Sequence, residues 1–308
     1  MSPTLVVILL LAIGGISTSG PLTRLSAAPS LAIAAWRLGL SLVVVFVALV
    51  MTGGWRQLRQ LRRRDLGVAI AAGGMLAIHF WTWIASLSLT TVSASVVLVD
   101  MQPAIVGVLS IVWLHERPSR RQWSGIAMAM AGAVVVALPD LLHEGAGLGG
   151  RALFGDGLAF AGAIAAAFYF VAGRKLRASL DLWPYVAVVY TACFAFLVLA
   201  ARGTHVALTP QPPRELAIFA GLALGPMLLG HTGFNYALRY VPAYVVNLAL
   251  LCEPVGATIL AALLPGIREL PNWGTVVGGA LIIYGIARAT RAAARVVPSP
   301  GQPPAPAR

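Results

Sequence analysis

Charge is scarce in this sequence. Only 10% of its 308 residues are charged, where a water-soluble domain carries about a quarter. Acidic residues are scarcer still, 10 against 22 Lys and Arg. Cysteine is nearly absent: Cys193 and Cys252 each lie inside an apolar run, so neither a disulfide framework nor a metal-ligand spacing exists. No Lys or Arg precedes the first apolar run. The charged start of a secretory signal is therefore missing, despite the small residues Ser26-Ala27-Ala28, and the segment is expected to stay as a helix. Catalytic patterns are lacking too. His115-Glu116 is followed by Ser119 where a zinc helix needs its second His, and neither a Gly-x-Ser-x-Gly elbow nor a phosphate-cradling loop occurs. The expectation is a non-enzyme without cofactor or metal.

What is present is apolar surface. Hydrophobic residues make up 59% of the chain and gather in ten runs: 4–20, 31–51, 66–89, 92–114, 122–138, 154–172, 183–201, 215–238, 243–264 and 273–288. Runs of this length span a hydrocarbon core of ~30 Å as helices. The bilayer is thus the expected environment. The formal charge of +12 sits almost wholly in the gaps between runs, the pattern of membrane topology rather than of a nucleic-acid face. No nucleic-acid partner is expected, and the sequence sets no oligomeric state. The Pro-rich end, within residues 291–308, is expected to be a disordered tail.

The second half repeats the first. A helix interrupted at Gln102-Pro103, a turn at His115-Glu116-Arg117-Pro118, and Gly125 and Gly132 return as Glu253-Pro254, Arg268-Glu269-Leu270-Pro271, Gly278 and Gly285. The last four pairs share one constant offset. Most Lys and Arg fall in the loops at 56–64, 117–121, 174–177 and 239 and at the C-terminal end. The opposite loops hold only Arg24, Arg151, Arg202, Arg214 and Arg268. This bias places both termini in the cytoplasm. Each half then has five spans, an odd number, so the second half enters the membrane from the opposite side. The expected fold is an all-α polytopic membrane protein of ten transmembrane helices, arranged as two five-helix inverted repeats. These cover residues 4–138 and 154–290, joined by an outer loop at 139–153. Such repeats are a hallmark of secondary transporters.

Ionisable residues inside a span are costly and ask for a role. His79 and His231 occupy matched positions in the two halves, as do Gln102 and Glu253. Helical spacing puts His79, Thr82, Trp83 and Ser86 on one face, His231 with Asn235 on another, and groups Asp100 with Pro103 and Asn247 with Pro254. The candidate cavity residues are His79, Trp83, Asp100, His231, Asn235 and Asn247. Asp100 and Glu253 are the candidates for proton coupling. Pro103 and Pro254 are read as gating kinks, or as fixed bends without motion. Arg37 either binds a carboxylate or snorkels outward. Glu116 and Glu269 are expected to be capping and turn residues.

The Ala35-Trp36-Arg37 stretch and the doubled Pro…Glu-x-Pro…Gly…Gly signature resemble the drug/metabolite transporter superfamily, in its ten-helix EamA-domain branch. The resemblance implies a central cavity among the first, third, fourth, sixth, eighth and ninth helices. It also implies export of amino acids or related small metabolites across the inner membrane by alternating access. This chain departs from the small multidrug members in having no carboxylate in its first span. The alternatives are a drug or quaternary-cation efflux carrier, with Trp36, Trp83 and Tyr236 as an aromatic cage, and a non-transporting membrane sensor or partner subunit.

Overall fold

A computed structural model describes residues 2–90, 92–144, 150–263 and 273–293. The repeat anchors Arg268, Glu269, Leu270 and Pro271, and the tail beyond residue 293, lie outside the described residues. Among those described, the chain is wholly helical, without strands. Apart from the short helix Trp55–Arg59, its helices fall into ten runs: α1 (Pro3–Leu25), α2 (Ser30–Met51), α3 (Arg63–Ser86), α4 (Val92–Val99, Gln102–Leu109 and Ser110–Leu114), α5 (Arg120–Glu144), α6 (Gly150–Arg177), α7 (Leu182–Gly203), α8 (Pro213–Ala237), α9 (Ala243–Leu250 and Glu253–Leu263) and α10 (Trp273–Ala293). Seven stretches among them are long and apolar enough to cross a membrane, and Ala243–Ala257 within α9 is a shorter apolar helix. Large apolar side chains such as Leu10, Val43, Met51, Leu199 and Ile283 stand on the outside, as a lipid-facing surface requires.

Local chemistry sets the helix ends. Ser2 accepts a hydrogen bond from the Leu5 amide to cap α1. Ser119 and Gln122 form a reciprocal capping box at the start of α5: the Ser119 amide donates to Gln122 Oε1, and the Gln122 amide donates to Ser119 Oγ. Glu116 is therefore not the cap that its position implied. Its carboxylate instead pairs with Arg174 at 2.9 Å. The expected connection at 139–153 is also shorter than read from the sequence. Helix α5 continues through Pro139 to Glu144 and α6 begins at Gly150. Likewise α10 runs on to Ala293, into the stretch expected to be disordered.

Packing joins the halves everywhere. The dominant contacts pair α5 with α10, α3 with α6, α3 and α2 with α7, and α1 with α8. If helices 1–5 correspond to helices 6–10, the α1–α8 contact is the counterpart of α3–α6, and α5–α10, α2–α7 and α4–α9 map onto themselves. The two halves interdigitate rather than sit side by side.

Both α4 and α9 are interrupted. In α4 the first segment ends at Val99, Asp100 and Met101 form a turn, and a new helix starts at Gln102 with Pro103 in its first turn. In α9 the break falls at Leu251-Cys252, and the new helix starts at Glu253 with Pro254 in its first turn. Met101 and Leu251 keep right-handed helical dihedrals, and the Asp100 amide still donates to the Val96 carbonyl at 2.9 Å. Each proline occupies the first turn after a short tightened turn, where its missing N–H costs least.

Candidate functional site

The breaks in α4 and α9 face one enclosed chamber. Side chains from α1, α3, α4, α6, α8 and α9 line it, and its volume is about 50 Å³. On the wall are His79, Phe80 and Trp83 from α3, Asp100, Gln102 and Pro103 from α4, His231 from α8, and Asn247, Glu253 and Pro254 from α9. Ile16 and Ser19 of α1 and Phe170 of α6 complete it.

The matched histidines meet here, their ring centres 6.4 Å apart in an edge-on arrangement. His79 Nδ1 lies 3.0 Å from the Gly162 carbonyl oxygen. A carbonyl only accepts, so this nitrogen carries the proton and Nε2 is the free acceptor of the neutral ring. Gly162 permits that approach: a Cβ there would stand 3.5 Å from the His79 carbonyl and 3.0 Å from Thr82 Oγ1. The His79 ring also stacks on Trp83, nearly coplanar, at 6.2 Å. Across the chamber the Gln102 amide donates to Asn247 Oδ1, tying one broken helix to the other. Asn247 in turn donates to the Ala243 carbonyl within its own helix.

Three polar atoms on this wall are buried without a hydrogen-bond partner among the described residues: Trp83 Nε1, Asp100 Oδ2 and His231 Nδ1. Buried polar groups are paired almost everywhere in proteins, so three orphans around one void mark a place built to receive polar atoms. A donor and a carboxylate oxygen are both included.

Of the candidates read from the sequence, His79, Trp83, Asp100, His231, Asn247, Glu253, Pro103 and Pro254 line the chamber. Asn235 does not. Fully buried, it donates to the His231 carbonyl at 2.7 Å and to the Tyr169 hydroxyl, so it acts behind the wall. Trp36 and Tyr236 are also apart from Trp83. The Trp36 indole donates to the Leu208 carbonyl at 2.8 Å and stacks on Phe219, while Tyr236 packs on Tyr240. The three-membered aromatic cage is not assembled. Gln102, Phe80, Phe170 and Ser19 were not singled out as cavity residues. For Gln102 the signal was available, since it is the repeat partner of Glu253.

Arg37 does not snorkel. Its side chain is 0% exposed, wedged where α2 packs against α7 and α8. The guanidinium carbon sits 4.3 Å from the centre of the Phe80 ring, whose side chain lines the chamber. One terminal nitrogen lies 3.8 Å from the Met227 sulfur. Nε and Nη1 have no partner, and no described carboxylate stands within ion-pair distance.

Comparison with known proteins agrees with this architecture. A crystal structure superposes with a TM-score of 0.77 at 22% identity, covering 96% of this chain and 99% of that one. The chain is 27% identical over 252 residues to a probable terminal-alkyne amino-acid exporter of Streptantibioticus cattleyicolor, covering 80% of each. It is 24% identical over 264 residues to the uncharacterised transporter YyaM of Bacillus subtilis, covering 83% of each. The sequence pattern of the EamA-like transporter family matches residues 2–138 and again residues 153–290. This multi-pass membrane protein belongs to the EamA-like transporter family.

Proposed function

We propose that the chain is a secondary transporter that exports small zwitterionic metabolites, amino acids in the first place, by alternating access. The observation that carries this reading is the trio of unpartnered polar atoms, Trp83 Nε1, Asp100 Oδ2 and His231 Nδ1, around a chamber at the junction of the two halves. An α-amino acid offers what they lack. Its ammonium suits Asp100, its carboxylate suits the Trp83 indole N–H, and its backbone-sized core fits between aromatic walls. A relative described as a probable amino-acid exporter supports the substrate class.

Alternating access rests on the two five-helix units, residues 4–138 and 154–290, entering the membrane in opposite senses with both termini in the cytoplasm of an inner-membrane protein. The chamber volume of about 50 Å³ is far below the roughly 300–1,000 Å³ of a small-molecule site. It holds a few waters at most, so loading requires the halves to part. Asp100 and Glu253, on the same chamber, are the proton carriers in this scheme.

A second reading, efflux of a quaternary cation, draws on the aromatic wall of Phe80, Trp83 and Phe170. One experiment separates the two. Proteoliposomes preloaded with single amino acids or with tetraalkylammonium ions are assayed for counterflow of the labelled species. Exchange of an amino acid that falls at least tenfold in Trp83→Phe is the expected result. Exchange of ammonium ions alone would transfer the assignment to cation efflux. Exchange of neither would leave a non-transporting membrane protein.

A further inference from the structure

On the outside of the bundle, away from the chamber, α2, α3 and α7 frame a second recess of about 480 Å³. Its walls are apolar: Phe46 of α2, Leu66 and Ile70 of α3, and Phe196 and Leu199 of α7, with Thr191 as the one lining residue bearing a polar side chain. Small residues make the hollow. Where Phe196 and Leu199 project, Ala192 and Ala195 just before them do not. Along α7 the recess runs from Ala187 to Leu199, about 18 Å at 1.5 Å per residue. It starts five residues into α7 from Leu182 and stops four short of Gly203, so it crosses the middle of the helix and is long enough to take an acyl chain.

One end of this recess is charged. Leu58, which lines it, lies in the connection between α2 and α3 with Arg56, Arg59 and Arg62, and Leu66 lies in the first turn of α3 with Arg63 and Arg64. All five are exposed. None forms an ion pair or a side-chain hydrogen bond with a described residue. Arg56 and Arg59 lie over the exposed Trp55 ring, at 5.5 and 4.6 Å. A tryptophan of this kind marks the level of the lipid headgroups. The nearest acidic residue in sequence is Asp65 alone, since Asp181 is taken up by Arg239 and Gln57. An apolar slot of acyl-chain length, with Leu58 of its wall set among unneutralised guanidinium groups, has the two halves of a receptor for an anionic phospholipid.

We propose that this recess binds one anionic phospholipid from the leaflet on the arginine-rich side. An acyl chain lies between Phe46 and Phe196, and the phosphodiester is held by Arg59 and Arg63. Guanidinium groups match phosphate oxygens in paired hydrogen bonds, which a zwitterionic headgroup offers with an opposing cation attached. The site is distinct from the transport chamber and stands whether or not the chamber carries amino acids.

Native mass spectrometry of the purified full chain tests it, by titrating phosphatidylglycerol and phosphatidylcholine of identical acyl chains. The wild type is expected to retain one phosphatidylglycerol per chain at least tenfold more tightly than phosphatidylcholine. Arg59→Gln with Arg63→Gln should bring phosphatidylglycerol down to the phosphatidylcholine level, about fivefold per arginine removed. Thr191→Trp with Ala195→Trp, both on exposed positions that leave the core alone, should remove the retained lipid by filling the slot. Equal retention of the two lipids by the wild type would overturn the proposal. So would an unchanged adduct in the filled variant, or full displacement by water-soluble glycerophosphate, which would mean that the arginines hold phosphate without a chain.

Discussion

Gly125 and Gly285 meet backbone to backbone: a Cβ built on Gly125 would lie 2.7 Å from the Gly285 carbonyl oxygen. Gly132 and Gly278 meet in the same way, again at 2.7 Å. The repeat makes Gly125 the counterpart of Gly278, and Gly132 the counterpart of Gly285. One contact is thus the other with the roles of the halves exchanged, the signature of a two-fold relation. Sequence spacing had paired the glycines along the chain, whereas the structure pairs them crosswise in space.

That crossing predicts equal damage from equivalent substitutions. Gly125→Val and Gly278→Val should each lower the thermal midpoint of the purified protein, at a cost of about 1–3 kcal/mol, because the obstructing atoms are backbone and α5 and α10 must separate. Gly14→Ala is the control, with nothing within 4 Å of the added carbon. A Gly125→Val protein as stable as the wild type would mean that α5 and α10 do not touch through their glycines.

Arg37 gives a prediction of opposite sign for stability. A fully buried guanidinium with two unpaired N–H groups costs several kcal/mol to desolvate, and the Phe80 ring returns only about 2 kcal/mol. Arg37→Met keeps the length and removes the charge. Its thermal midpoint should equal or exceed that of the wild type, while counterflow falls at least tenfold. A stable and fully active Arg37→Met protein would strip the charge of any part in transport.

For Asp100 the expected effect is selective. Asp100→Asn keeps the shape of the chamber wall and removes the ionisable proton. Uptake driven by an imposed pH gradient should vanish, while counterflow, which needs no net proton movement, persists. If gradient-driven uptake survives in Asp100→Asn but not in Glu253→Gln, the coupling role passes to Glu253.

Much of this could be read from the chain itself, for identifiable reasons. Run length against bilayer thickness yields the helices, and the doubled Pro and Gly anchors yield the two units. Polar side chains are so rare within the runs that His79, Asp100, His231 and Glu253 announce themselves. What could not be read is facing. Asn235 shares a helical stripe with His231, but its side-chain amide turns back to the His231 carbonyl and across to the Tyr169 hydroxyl, and so lies behind the wall. Arg37 was ambiguous because a single charge on an apolar helix says nothing of which neighbour covers it.

The last prediction concerns the face that carries the arginines. Arg174 bonds Glu116 at 2.9 Å and the carbonyls of Leu238 and Arg239 at 2.7 and 3.2 Å, so α6 is tied to the ends of α4 and α8. Arg177, 1% exposed, donates to the Asn235 and Leu180 carbonyls. Beside them Arg239 bonds Asp181 at 2.6 Å. That bond holds the Asp181 carboxyl below its ordinary value of 3.8, so the tie persists at neutral pH and is lost only as pH falls beneath that value. These groups tie together the ends of α4, α6 and α8 on the arginine-rich side. Because the Glu116–Arg174 pair is partly exposed, Glu116→Gln should change global stability by no more than about 1 kcal/mol. Local opening should respond more. Hydrogen exchange of residues 110–120 and 174–181 should quicken severalfold, while exchange at the far ends of α1, α3 and α6 stays the same. Uniform quickening would mean a general loss of stability, and no quickening would show that the carbonyl bonds alone hold these helix ends together.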